Sequence, residues 1–186
     1  MDKRAVVSVW DKSGIAGFGR ALSDSGHEIL STSKTAAGLR EAGVPVTEIS
    51  DYTGSPEILG GRVKTLHPRI AGGILTTRQD DTVPPIDIVV CNLYPFEDGR
   101  RKGLSHGQLI ELIDIGGVTL LRAAAKNHEF VTPVPGPEYY DRVGLELAHG
   151  GTVSAVLRAE LAARSFEITS RYDAAIAEYL GSRQAG

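Results

Sequence analysis

Short β-prone runs that alternate with helix-patterned segments constrain this chain more than any other feature. RAVVSVW (residues 4–10) reads as a buried first strand. A polar DKSG turn follows, then a helix pattern through Ile15, Phe18 and Leu22 that ends near Gly26. HEILS (27–31) reads as a second strand. A short helix carrying Leu39 stops at Gly43, and VPVTEI (44–49) reads as a third strand. This β-α-β-α-β order predicts an α/β fold: a three-layer, mainly parallel twisted sheet with helices on both faces and right-handed crossovers.

The region 51–75 is loop-rich. AGGILTT (71–77) reads as a short strand, and RQDDTVPP (78–85) as a polar surface loop, the most mobile segment expected. IDIVVCNL (86–93) is the clearest buried strand. A helix is expected around 104–113, and Asp114-Ile115-Gly116-Gly117 opens another. FVTPVP (130–135) reads as a last strand, the remainder as helix, and 182–186 as a frayed tail. No repeat or linker divides the 186 residues, so one domain over 1–186 is expected.

A formal net charge of −3 gives no basis for bulk nucleic-acid binding or for an anionic membrane surface. The longest apolar runs are too short to cross a bilayer. The single cysteine, Cys91, excludes an internal disulfide and a cysteine-based zinc site. The five histidines are scattered, so no metal is expected. These features fit a reducing cytoplasm.

Three stretches carry chemistry. In GGRVKTLHP (60–68), Arg62, Lys64, Thr65 and His67 are too mixed for an amphipathic helix or an alternating strand. The stretch reads as a loop offering two cations and several donors to an anionic or carbonyl-rich ligand; a solvated basic turn is the plain alternative. Asn92 and Tyr94 leave the IDIVVCNL strand, where ligands of parallel sheets bind. Asp114 precedes Gly116-Gly117, whose N–H groups could form an oxyanion hole, or it merely caps the helix. Lys126 ends that helix, where a lysine is also a good dipole partner. A straight helix puts Asp114 and Lys126 about 18 Å apart, so a shared centre requires a fold-back.

Two strand-to-helix turns suit a phosphate monoester. One holds Ser8, Lys12 and Ser13; the other holds Ser31, Thr32, Ser33, Lys34 and Thr35. Helix capping by these hydroxyls is the plain alternative. Neither GxxxxGK[ST] nor GxGxxG occurs, so a P-loop or dinucleotide site is unsupported.

DYTGSPEILGGRVKTLHPRIAGGIL, CNLYPF and IDIGGVTLLRAAAKNH resemble the inosine monophosphate cyclohydrolase domain of the bifunctional purine-biosynthesis family. SVWDKSG, STSKTA and RYDAAIAEYL resemble it in the same order, so the likeness covers the whole chain. The resemblance implies a methylglyoxal-synthase-like fold, no cofactor or metal, and a purine nucleotide ligand. It implies dehydrative closure of 5-formamidoimidazole-4-carboxamide ribonucleotide to inosine monophosphate. By motif position it assigns catalysis to Lys64, Tyr94, Asp114 and Lys126. Arg62 and Asn92 fall where the base is lined, and 8–12 and 31–35 where phosphate is held. The family's formyltransferase domain has no counterpart in this sequence, which reads either as a standalone cyclohydrolase, with a separate formyltransferase as its expected partner, or as a fragment; a homodimer is left open.

The chain departs from the family at the phosphate end. Trp10 stands where the family usually has serine, Ser33 and Lys34 replace two glycines, and Ser55 stands where FPE is common. Lys34 would substitute a charge-assisted contact for backbone N–H groups. A paralogue closing a ring on a related carboxamide nucleotide, and a non-catalytic phosphate-ligand sensor, are the competing readings.

Overall fold

The computed structural model describes residues 3–79 and 82–182. Five parallel strands form one sheet: β1 (Lys3–Val9), β2 (His27–Ser31), β3 (Thr47–Glu48), β4 (Ile88–Asn92) and β5 (Thr132–Val134). Their order is β3-β2-β1-β4-β5. β1 sits in the middle, with Val7 opposite both Ser31 of β2 and Val90 of β4. Alternate β1 residues supply two cores. Ala5, Val7 and Val9 face Phe18 and Leu22 of α1 (Ile15–Asp24) and Val143 and Leu147 of α8 (Tyr140–Gly150). Val6 faces Ile70 and Ile74 of α4 (Pro68–Leu75) and Leu120, Leu121 and Ala124 of α7 (Gly116–Lys126). Burial on both faces explains why the strands read as continuous apolar runs.

Further helices are α2 (Ser33–Glu41), α3 (Ile49–Thr53), α5 (Phe96–Arg101), α6 (His106–Glu111) and α9 (Ala155–Ser182). α9 is about 42 Å long. It buries Leu157 and Leu161 in the first core and brings Tyr172 and Ala175 to a third cluster with Phe96 and Leu109. None of these helices is long and apolar enough to cross a membrane.

Two expectations are corrected. Residues 71–77 do not form a strand: Pro68 at the first turn and the His67 Nδ1 acceptor for Arg69 N–H start a helix instead. Ile70, Gly73 and Ile74 then make its buried face. The third strand shrinks to Thr47–Glu48 at the sheet edge, since among the described residues it pairs with β2 alone. Most of the expected frayed tail (183–186) and Asp80-Asp81 of the expected mobile loop lie outside the described residues.

Leu121 is fully enclosed between α7 and the sheet. Leu121→Ala is expected to lower the unfolding free energy by about 2–5 kcal/mol in urea titration. A loss below about 1 kcal/mol contradicts this packing.

Candidate active site

β1 continues to β2 on one side, and the chain later returns to β4 on the other. Ligands bind where such a sheet reverses direction, outside the carboxyl ends of the strands. A cleft of about 560 Å³ opens there. The ends of β1 and β4 form its floor, the start of α2 one wall, and the 60–66 loop with the α6–α7 segment the other.

Lys64, Tyr94 and Asp114 all line this cleft. So do Ser8, Trp10, Lys12, Lys34, Thr35, Arg62, Thr65, Asn92, Gly116 and Gly117. Five expected residues do not: Ser13, Ser31, Ser33, His67 and Lys126. Lys126 is exposed at the last position of α7, which runs unbroken from Gly116, so the fold-back that a centre shared with Asp114 requires is absent. Ser31 is buried and donates to Val7 C=O at 2.6 Å. Ser33 donates to Glu57 Oε1 at 2.7 Å.

Asp114 is held by a local device. Gly117 N–H donates to Asp114 Oδ1 at 2.7 Å. A Cβ on Gly117 would collide with this carboxylate, so only glycine permits the approach. That N–H is consequently spent on Asp114 and is not an oxyanion donor, which corrects the expectation for Gly117. Burial pushes the Asp114 carboxyl above its ordinary range, and backbone hydrogen bonds from Gly117 and Tyr94 pull it partly back. Tyr94 is also pushed up, first by burial and then by the charge of Asp114, so its phenol stays a proton donor at neutral pH. Its ring leans on Trp10, with centroids 5.1 Å apart.

Lys64 reaches the cleft by lying over Gly61, which has φ +87°. A Cβ at Gly61 would stand 2.7 Å from Lys64 Cε. The ammonium lies 3.4 Å from Glu57 Oε2. Arg62 pairs with Glu111 across the cleft mouth. Glu57 and Glu111 were not predicted; the first stands three residues before the glycine pair, which was the available signal. The amide of Asn92 is largely committed. Oδ1 accepts from Trp10 N–H at 2.8 Å and Asp11 N–H at 2.9 Å, and Nδ2 donates to Asp11 C=O at 2.9 Å. Asn92 therefore shapes the turn after β1 while lining the cleft.

At the phosphate end, no side chain caps α2, so its first N–H groups keep their capacity for an anion. Lys34 stands beside them on the cleft wall. Thr35 bonds Val9 C=O at 3.2 Å, and Lys12 Nζ lies 3.3 Å from Trp10 C=O. No cluster of metal-ligating side chains occurs among the described residues.

The sequence profile of the MGS-like domain matches residues 14–119, and that of the AICARFT/IMPCHase bienzyme matches residues 124–186. The chain belongs to the MGS-like domain family. It is 50% identical over 194 residues to the bifunctional purine biosynthesis protein PurH of Anaeromyxobacter dehalogenans, and 46% identical over 192 residues to that of Persephonella marina. These alignments cover 100% and 98% of the chain, and 37% of each PurH. The chain thus spans little more than a third of those relatives. The crystal structure of ForH superposes with a TM-score of 0.80 at 36% identity, covering 96% of this chain and 98% of that one. Lys34, Lys64, Tyr94 and Asp114 lie in the MGS-like stretch, whereas α9 lies in the bienzyme stretch.

The raised Asp114 carboxyl sets a pH dependence. The folded state holds that proton more tightly than the unfolded chain. Its contribution to stability is full below the ordinary aspartate range and is lost as pH rises through the folded value. Asp114→Asn removes the costly charge and keeps an acceptor for Gly117. The variant is expected to melt above the parent at pH 7, with the gap closing below the ordinary aspartate range. Equal melting temperatures at pH 7 contradict this.

Proposed function

We propose that the chain is an inosine monophosphate cyclohydrolase. It closes 5-formamidoimidazole-4-carboxamide ribonucleotide to inosine monophosphate and releases water, with no cofactor or metal. The observation that carries this reading is the meeting of Lys64, Tyr94 and Asp114 in one cleft whose opposite end suits a phosphate.

The carboxamide nitrogen must attack the formyl carbon, and an amide is a poor nucleophile. Holding the two groups in contact contributes most. Asp114 takes the proton from the carboxamide nitrogen, and its raised carboxyl makes it a stronger base than an ordinary aspartate. As the C–N bond forms, negative charge grows on the former formyl oxygen. The Tyr94 phenol donates a hydrogen bond to it. The protonated Asp114 and the Lys64 ammonium each give that oxygen one proton, so it leaves as water when the C–O bond breaks, and the former formamido nitrogen gives its proton to the Lys64 amine as the ring C=N bond forms, which restores both groups. No step runs through Lys126. Lys34 and the α2 N-terminus hold the phosphate. A formylating reaction must act upstream, since the substrate already carries the formyl group.

A second reading keeps the ring closure but changes the nucleotide. Trp10, 48% exposed on the cleft wall, and Lys34 favour it, because both stand where the family has smaller residues. A sensor has no need of a partly buried acid beside a phenol and an ammonium.

The purified chain is mixed with the formamido nucleotide, without cofactor, and purine absorbance is followed. Turnover well above the spontaneous rate is expected, and Tyr94→Phe is expected to lower kcat by about a hundredfold or more. Binding without turnover overturns the enzyme reading. Turnover of an analogue alone supports the second reading.

A further inference from the structure

One buried hydroxyl outside the cleft touches the backbone of the site. Tyr172, on α9, is 8% exposed. Its hydroxyl accepts from Asp114 N–H at 2.9 Å and donates to Leu112 C=O at 2.5 Å. A phenol has one proton to give, and here it goes to one backbone group while the oxygen serves another. Both partners lie in the short segment between α6 and α7. The Tyr172 ring is fixed in turn by Phe96, edge-on at 6.4 Å, within a cluster that includes Leu109 and Ala175.

This segment carries Asp114, whose carboxylate needs a defined direction to serve the cleft. From the end of α6, Leu112 N–H and Ile113 N–H turn back to Leu109 and Ile110. Asp114 N–H is the next in line, and its acceptor lies 58 residues away on α9.

We propose that Tyr172 is a positioning residue for the cyclohydrolase reaction: its hydroxyl pins the 112–114 backbone so that the Asp114 carboxylate faces Tyr94 and Lys64. Tyr172 does not line the cleft and acts only through Asp114. The assignment gives α9, which lies outside the MGS-like stretch, a part in a site built from that stretch. It rests on the function proposed above.

The test uses the full chain. Tyr172→Phe keeps the ring and its packing and removes only the hydroxyl. Tyr179→Phe is the control: it removes a hydroxyl from the same helix, one that contacts His106 Nδ1 at 3.1 Å on the surface. With the formamido nucleotide, Tyr172→Phe is expected to lose about 10- to 100-fold in kcat with KM within about threefold of the parent, since a misdirected base affects chemistry more than binding. Tyr179→Phe is expected to turn over like the parent. Hydrogen exchange at the Asp114 amide should accelerate in Tyr172→Phe while α9 amides keep their protection.

A folded Tyr172→Phe chain with kcat within about twofold of the parent overturns the proposal. If that variant does not fold, the parent decides: an Asp114 amide that exchanges as fast as exposed loop amides overturns it, and a protected one supports it. A parent without turnover strikes the cyclohydrolase reading itself, and with it this role. Parent turnover beside an indifferent Tyr172→Phe strikes this role alone.

Discussion

Parallel pairing of β1 with both β2 and β4 is the constraint from which the rest follows. Parallel neighbours cannot be joined by a hairpin, so each connection must cross a face of the sheet. The chain leaves β1 toward β2 and β3, then returns past β1 to β4. At that reversal the strand ends are left uncovered. Ser8 and Trp10 are thereby set beside Asn92 and Tyr94, with Val9 directly opposite Asn92. Asn92 converts that adjacency into a fixed turn by bonding the backbone of Trp10 and Asp11.

Charge in the cleft is arranged around this floor. The two cations of the 60–68 loop each meet a carboxylate, Lys64 at Glu57 and Arg62 at Glu111. Partly exposed pairs of this kind contribute little to stability. They orient the cations while leaving them free to exchange partners with an anionic ligand. Glu57 also accepts from Ser33, so the carboxylate beside Lys64 is tied to the start of α2. Asp114 differs in kind. It is partly buried, it has no cation among its hydrogen-bond partners in the described residues, and glycine at 117 lets it rest against an N–H. An acid kept in that state is a better base than one paired on the surface.

Much of this was legible in the sequence. HEILS is β2 as read, and the buried faces of α1 and α7 follow the 3.6-residue period. The glycine-rich loop, the Tyr94 turn and the Asp114 turn do meet. What stayed hidden has physical causes. Residues 71–77 look β-prone, but a cap at His67 and proline at 68 outweigh that preference. Type and position do not reveal how a polar atom is spent. Asn92, Gly117, Ser31 and Ser33 were all assigned to the ligand, and in each the named polar group serves another part of the chain. Lys126 does not line the cleft, because an unbroken α7 carries it away from Asp114. Tyr172 could not be found from local pattern, since its partners lie about sixty residues upstream.

The central claim is that one crevice holds an acidic ester at the α2 end and closes a ring at the Asp114 end. A crystal structure with inosine monophosphate bound tests it most directly. The account predicts phosphate beside Lys34 and the start of α2, with the newly formed ring edge against the Tyr94 hydroxyl, Lys64 and Asp114. A nucleotide seated elsewhere, for instance in the apolar groove that Ile70 and Ile74 of α4 form with Leu120 and Ala123 of α7, or with its phosphate beside Asp114, would contradict it.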